Sequence, residues 1–394
     1  MTKLSRLVTL LTRSGKSPYS FALYGQDGES LNVGESEIAF KIYIKNKAGF
    51  DACMSLNELL IAEAYMGGDI NLEGDLIKVI LSFQDMFSDR SPILKSWRII
   101  KPLLFGREKC NPEWIAKHYD SNNLQLLSTE NDYDTYTPGI YHSDDESMNV
   151  AAKRKLTFAF DSLQLKPHDH VLDVGCGWGG FLRFAAARDV RVTGITLSQH
   201  QTNYVQALID KQNFTNANVQ YQDFFTYTSP EKFDGISMMG VIEDLADYEH
   251  VMKKLPDLLK PGGRVYLDFA ADEDPFSATR SFVTKYIWPG AFRLVYMPKF
   301  VEAVQKSFLE IHSIYNDRHN YHLWAKKAYE TLFSNKEPFV EKSNEYLWRM
   351  FTILHAGTSA AFIKTNYFCT AYRVLLELPC DREGVVSSSP LRYR

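Results

Sequence analysis

Three observations predict a Rossmann-like α/β fold with a small α+β domain ahead of it. From about Lys153 onward, short apolar strands alternate with helix-length segments, the pattern of a parallel sheet covered on both faces. The apolar run Val171-Leu-Asp-Val174 leads straight into a turn carrying Gly175, Gly177 and Gly179, with a helix from Gly180 to Ala187 behind it. Residues 17–50 follow a different rule: apolar and polar positions alternate, as in Phe21-Ala-Leu-Tyr24 and Ile38-Ala-Phe-Lys-Ile-Tyr-Ile44, with glycine turns between them.

The elements follow in chain order. Short strands fill residues 17–50. From Ser55 the spacing lengthens, and Leu56, Leu59, Leu60, Ala62 and Ala64 suit a helix that stops near Gly67-Gly68. The segment 91–109 carries five basic residues against one acid among Trp97, Ile99, Ile100, Leu103, Leu104 and Phe105. It reads either as a stretch lying on an anionic membrane surface or as an interdomain helix with its lysines in water, although Pro102 interrupts any continuous helix. After the first strand and its helix, Val190-Arg-Val-Thr-Gly-Ile195 is the second strand and Val219-Gln-Tyr221 the third. Phe233 to Met239 and Arg264 to Phe269 continue the series. The domain boundaries expected are 1–110 for the N-terminal accessory domain and linker, 111–382 for the α/β domain, and 383–394 for a disordered tail rich in Ser, Arg and Gly.

Composition narrows the function. A chain of 394 residues with 45% apolar and 23% charged residues has material for more than one core. The formal net charge of −4 supplies none of the positive field that nucleic acid calls for, so nucleic acid is not an expected partner. Five cysteines stand without paired metal-ligand spacing, so no metal is expected and a reducing cytoplasm fits. The first residues interleave polar positions among short apolar runs, unlike a secretory signal, and no stretch approaches the roughly 20 apolar residues that span a bilayer. The expectation is a cytoplasmic protein, or one peripheral to the inner face of the membrane, with homodimerisation open.

A glycine turn after a strand lets backbone approach a ligand, and the following helix offers amides at its N-terminus. By spacing alone the turn also fits dinucleotide enzymes. At the end of the second strand, Thr196-Leu197-Ser198 and Gln201 supply hydroxyls and an amide suited to a ribose or amino-acid moiety; the plainer reading makes Ser198 a helix cap with Gln201 at the capping-box position. Gln222-Asp223-Phe224 follows the third strand, where an acid beside a ring suits an adenine; alone, such a triplet is more often an ordinary turn.

The ordered series of motifs resembles the cyclopropane fatty acid synthase family of lipid methyltransferases dependent on S-adenosylmethionine (SAM). Its pieces are His118-Tyr-Asp120, Tyr136-Thr137, Leu172 to Gly180, Thr196-Leu-Ser with Gln201, Gln222-Asp223, Gly240-Val-Ile-Glu243, Leu258 to Gly263 and Lys285 to Gly290, extended by Asn320 to Trp324 and Trp348 to Gly357. The resemblance implies a Rossmann-like SAM-dependent methyltransferase domain. It places SAM against Tyr136, Thr137, Gly175, Gly177, Gly179, Thr196, Leu197, Ser198, Gln201, Gln222, Asp223 and Phe224. It also implies methyl transfer to a cis double bond of an acyl lipid, with a bound bicarbonate removing the proton that lets a cyclopropane ring close. Aromatic rings suit the cationic intermediate of such a reaction, and Tyr136, Tyr141, Trp178, Tyr286, Trp288, Tyr321 and Trp324 are the candidates.

The chain departs from the family where bicarbonate is held. Pro138 stands at the Cys position, Asp244 follows Glu243 in place of His, and Asp268 occupies the second His position, while Glu243 and Tyr321 remain. Bicarbonate therefore becomes doubtful, because an aspartate beside a bound anion repels it. Glu243, Asp268 and Tyr321 are the catalytic candidates. Asp268 reads either as the base that replaces the anion or as a residue that ends a strand and caps its turn. The expected activity is carbon methyl transfer to an unsaturated acyl lipid. The alternatives are C-methylation of a polyketide or terpenoid, and a SAM- or lipid-binding module without turnover, against which the intact cofactor series argues.

Overall fold

The computed structural model describes residues 2–14, 17–87, 128–129, 131–245, 247–272, 282–287, 294–363 and 369–380. The basic segment 91–109, the expected boundary at 110/111, His118-Tyr-Asp120, Trp288 and the tail 383–394 lie outside these residues.

The chain begins with α1 (Lys3–Ser14), which the sequence pattern did not anticipate. Leu4, Leu7 and Leu11 are buried at helical spacing, so the polar residues interleaved among them form the outer face of an amphipathic helix. Next come β1 (Ser20–Tyr24), β2 (Ser30–Val33), β3 (Ile38–Ile44), α2 (Lys47–Ser55), α3 (Glu58–Met66), β4 (Ile70–Gly74) and α4 (Leu76–Phe87), with sheet order β2-β1-β3-β4. Ser55 ends α2 instead of starting a helix. Leu56 turns into the left-handed region at φ 49°, and the Asn57 side chain then caps α3 by accepting from the amides of Leu59 and Leu60. As expected, α3 stops at Gly67.

This small sheet does not close its core alone. Phe21, Phe40 and Phe83 share a cluster with Tyr329, Ala356 and Ala360 of two helices far along the chain, α10 (Arg318–Ser334) and α12 (Glu345–Ile363). Tyr329 accepts from the Leu76 amide at 3.2 Å. Arg349 donates to the carbonyls of Tyr65 (2.8 Å) and Ile70 (3.1 Å) and to Asn71 Oδ1 (2.8 Å).

The large sheet runs β11-β12-β9-β8-β5-β6-β7, with a short β10 beside β9. Its strands are β5 (His170–Val174), β6 (Arg191–Thr196), β7 (Ala217–Tyr221), β8 (Phe233–Met239), β9 (Leu259–Asp272), β10 (Val295–Tyr296), β11 (Glu310–Asn316) and β12 (Cys369–Glu377). Strands β5 to β9 are parallel, while β12 and β11 add antiparallel pairs that the sequence pattern did not reveal. Between the strands lie α5 (Met148–Ser162), α6 (Gly180–Ala186), α7 (Gln199–Gln212), α8 (Tyr248–Leu258), α9 (Met297–Gln305) and α11 (Lys336–Lys342). Alternation along each strand sorts the two faces. Leu172, Val174, Ile236, Met238, Val265 and Leu267 pack with Val251 and Leu255 of α8, whereas Val171, Val192 and Tyr266 pack with Leu156 of α5, Leu182 of α6 and Val205 of α7.

From β5 the chain proceeds outward to β6 and β7, then returns to the other side of β5 with β8 and β9. The crevice at the carboxyl ends of β5 and β8 is thus the topological switch point, where open α/β sheets place their ligands.

Candidate functional site

The turn after β5 is built from backbone that only glycine adopts freely. Gly175, Gly177 and Gly179 have φ of 63°, 54° and 81°. The turn is pinned by the Cys176 amide on Ile195 of β6 at 3.0 Å and the Gly179 amide on the Cys176 carbonyl at 2.9 Å. A Cβ on Gly175 would fall 2.4 Å from Val241, whereas one on Gly177 would meet only the edge of the Tyr136 ring, at 3.4 Å, and the Gly175 carbonyl oxygen at 3.9 Å.

The second wall is the end of β6. Ser198 caps α7 by accepting from the Gln201 amide at 3.1 Å, as one of the two readings expects. The reciprocal half of a capping box is replaced: Thr196 donates its hydroxyl to Gln201 Oε1 at 2.7 Å and accepts from the Ser198 amide at 3.2 Å. Among the described residues, Gln201 Nε2 is left buried without a partner, as is the indole N–H of Trp178 in the glycine turn. Buried unpaired donors are costly unless a ligand meets them. At the end of β7, Gln222 ties its amide to Thr196 (2.9 Å) and its side chain to Thr226 (2.9 Å), and Asp223 accepts from the Phe225 amide at 2.8 Å. The Phe224 ring is buried, with Lys254 Nζ 5.4 Å from its centre. A turn left open at Gly177, with two orphaned donors beside it, fits a polar nucleoside ligand such as SAM.

A second group gathers where β8 ends, beside Asp268 of β9; the strand runs on to Asp272, so Asp268 does not end it, contrary to one of its two readings. The Gly240 amide bonds the Asp268 carbonyl at 2.9 Å, which brings the Glu243 turn beside the part of β9 that runs on past the end of β8. Glu243 is buried; its Oε1 accepts from the Ala270 amide at 2.8 Å and its Oε2 has no partner among the described residues. Burial pushes its pKa up to about 8, with the Asp244 and Asp268 charges adding to the effect. Asp268 is buried on the same sheet face as Tyr266. Its Oδ2 accepts from Lys155 Nζ at 2.8 Å and from the Tyr266 hydroxyl at 3.3 Å. Tyr321 lies within electrostatic reach of both carboxyls; burial first, then Glu243 and Asp268, hold its phenol well above the usual tyrosine range. Its ring stacks on Phe362 at 4.6 Å and meets Trp324 edge-on at 6.2 Å, and among the described residues the Tyr141 hydroxyl and Trp324 N–H are buried without partners. Of the other aromatic candidates, Tyr286 bonds Glu63 of α3 instead, at 2.8 Å.

Sequence reasoning missed Lys155. Its ammonium bridges Asp268 and the Thr137 hydroxyl (2.7 Å), and the residue is 2% exposed. A signal was present: the buried stripe of α5 is Ala151, Ala152, Lys155, Leu156 and Ala159, one cation in an otherwise apolar face.

Two buried carboxyls give the fold a pH signature. Burial raises Asp173 of β5 to about 7 as it raises Glu243 to about 8. A carboxyl that binds its proton more tightly when folded contributes stability that is complete below its unfolded pKa and lost as pH rises through the folded value. The free energy of unfolding is therefore expected to fall between about pH 4 and pH 8, by several kcal/mol in all, since each tenfold gain in proton affinity corresponds to roughly 1.4 kcal/mol. Denaturant titrations across that range measure it. Glu243→Gln, which keeps an acceptor for the Ala270 amide, should flatten the part of that slope nearest pH 8; an unchanged slope would show that Glu243 titrates normally.

A sheet that is parallel from β7 to β9 and antiparallel beyond, with a glycine turn at its switch point and orphaned donors beside it, is the architecture of a class I SAM-dependent methyltransferase. Among solved structures, the mycolic acid cyclopropane synthase CmaA1 complexed with SAH and CTAB superposes with a TM-score of 0.62 at 23% identity, over 68% of this chain and 99% of that one. The model of the mycolic acid cyclopropane synthetase family matches residues 107–371, and the chain belongs to that family. A domain of unknown function matches residues 7–90. Two curated relatives are similar over most of their length. One is a Mycobacterium tuberculosis protein called a probable fatty acid methyltransferase, 24% identical over 92% of each chain. The other is the Escherichia coli cyclopropane-fatty-acyl-phospholipid synthase, 27% identical over 82% of this chain and 84% of that one. The protein is a SAM-dependent methyltransferase of the cyclopropane synthase family. Among the described residues, no helix is long and apolar enough to cross a membrane.

Proposed function

We propose that the protein transfers a methyl group to a double-bond carbon of an unsaturated acyl lipid, with Asp268 as the base for any proton removed afterwards. The observation that carries this reading is the buried Asp268–Lys155 pair, with Glu243 and Tyr321 within electrostatic reach and the glycine turn nearby. The names of the two curated relatives agree with an acyl substrate.

The roles divide as follows. The glycine turn with Tyr136, Thr137, Thr196, Leu197, Ser198 and Gln201 holds SAM at one end, and Gln222, Asp223 and Phe224 hold it at the other. Bound SAM supplies an electrophilic methyl on a cationic sulfur that leaves as a neutral thioether. The alkene contributes its π pair to the new C–C bond, and the positive charge passes to the neighbouring substrate carbon. Tyr321 and Trp324 suit that charge through their ring faces and exclude water from it. The Asp268 carboxylate then accepts a proton from the added methyl, whose C–H pair closes a ring, or from an adjacent carbon, which leaves a methyl-branched alkene. Glu243, protonated near neutral pH, lines the pocket without adding charge.

The residues present do not fit a bound bicarbonate. The position that would face it carries the Asp268 carboxylate, whose charge Lys155 already balances, and Asp244 stands beside Glu243. The reading is tested by incubating the protein with SAM labelled in its methyl group and fractionated acyl lipids, and locating the label by mass spectrometry. Label on an acyl-chain carbon, one mass increment of CH2 per chain, is expected; label confined to nitrogen or oxygen, or to no lipid, would overturn it.

A further inference from the structure

We infer that Lys155 is a positioning residue whose buried ammonium holds the Asp268 carboxylate in place of a bound anion, so that removing this carboxylate opens a site for a small monoanion. The inference rests on the reading of Asp268 as the base. An ammonium on the buried stripe of a helix loses its hydration and persists only with a matched partner. Lys155 has two: Asp268 Oδ2 in β9, level with the end of β8, and Thr137 Oγ1 in the segment whose Tyr136 ring faces Gly177. One side chain thus ties the carboxylate to the wall of the cofactor cleft.

The neighbouring carboxyls have other arrangements. Glu243 is held by the Ala270 amide, and Asp317 pairs with Arg373 at 2.6 Å. Asp173 sits on β5, opposite Ser237 of β8 in register; Lys155 influences it electrostatically, while the ammonium's direct contact is with Asp268. Asp268→Ala would therefore leave Lys155 with the Thr137 hydroxyl, an unbalanced charge and the volume of a carboxylate. Formate has that volume and that charge.

The test compares wild type, Asp268→Ala, Lys155→Met and the double variant in sodium formate and in sodium chloride at equal ionic strength. Thermal midpoint is one readout and methyl transfer to acyl lipid the other. Formate is expected to raise the midpoint of Asp268→Ala alone, as a ligand bound only to the folded state does. It should also return about tenfold of the 10²- to 10⁴-fold activity lost with a general base. Lys155→Met should lower kcat while leaving KM for SAM unchanged. The double variant, an apolar side chain for a buried pair, is expected to fold and to ignore formate. No stabilisation of Asp268→Ala by formate, or equal stabilisation of the double variant, would overturn the anion site. Stabilisation without rescue would make the pair structural and overturn the positioning role. Should Asp268→Ala fail to fold, Asp268→Ser carries the same comparison. The midpoint needs no turnover: if wild type methylates no acyl lipid, the functional reading fails while the formate shift still decides the ion pair.

Discussion

Asp268→Asn is expected to lower turnover by about 10²- to 10⁴-fold, the usual loss when a general base is removed, while wild-type activity survives in buffer stripped of bicarbonate. Asparagine keeps an oxygen for the Lys155 ammonium and nearly the volume of aspartate, so the pocket should stay closed. What it loses is the negative charge. Breaking a buried pair at one partner costs about 3 to 5 kcal/mol, because the remaining charge is stranded. The variant should therefore melt earlier, and its activity must be referred to the fraction that still binds SAM. Steady-state rates with and without added bicarbonate separate the outcomes. If activity needs bicarbonate and Asp268→Asn is nearly neutral, the anion does the work and Asp268 is structural. If both changes are harmless, the reaction needs no base at that position.

The different legibility of the two halves of this site has a physical cause. The glycine turn could be read directly, because three left-handed backbone positions behind an apolar strand require glycine whatever surrounds them. Ser198 was legible for the same reason: a helix cap is local chemistry, and the amide it accepts from lies three residues on. Lys155 was not. Its partner is 113 residues away on β9, and only the packing of α5 on one face of the sheet brings the two together. Alternation along β9 would have put Asp268 on the face of Tyr266, but which helix covers that face is a property of the topology. Strands β11 and β12 were hidden for a related reason, since their pairing is antiparallel and joins segments more than 50 residues apart. Likewise, the N-terminal sheet reads as a unit by pattern but completes its core with Tyr329, Ala356 and Ala360, a dependence that no local window contains.

Gly177→Val is expected to abolish the binding of SAM and of S-adenosylhomocysteine while leaving a folded protein. Two effects add at this position. The residue sits at φ 54°, where an L side chain costs roughly 1 to 2 kcal/mol and a β-branched one is a marked outlier. Its new Cβ would lie 3.4 Å from Tyr136 Cε1, and the two valine methyls would extend past it on a face of the turn where, among the described residues, only Tyr136 and the Gly175 carbonyl lie within 4 Å. Unlike Gly175, whose Cβ would strike Val241 at 2.4 Å, Gly177 faces no tight core contact, so its substitution should reach the ligand before it reaches the fold. A loss of at least about 100-fold in affinity, or about 2.7 kcal/mol, is the expectation by calorimetry. Gly177→Ala, with the backbone strain but not the branched methyls, should fall in between. Unchanged affinity in a Gly177→Val protein that melts cooperatively would remove this turn from the cofactor site.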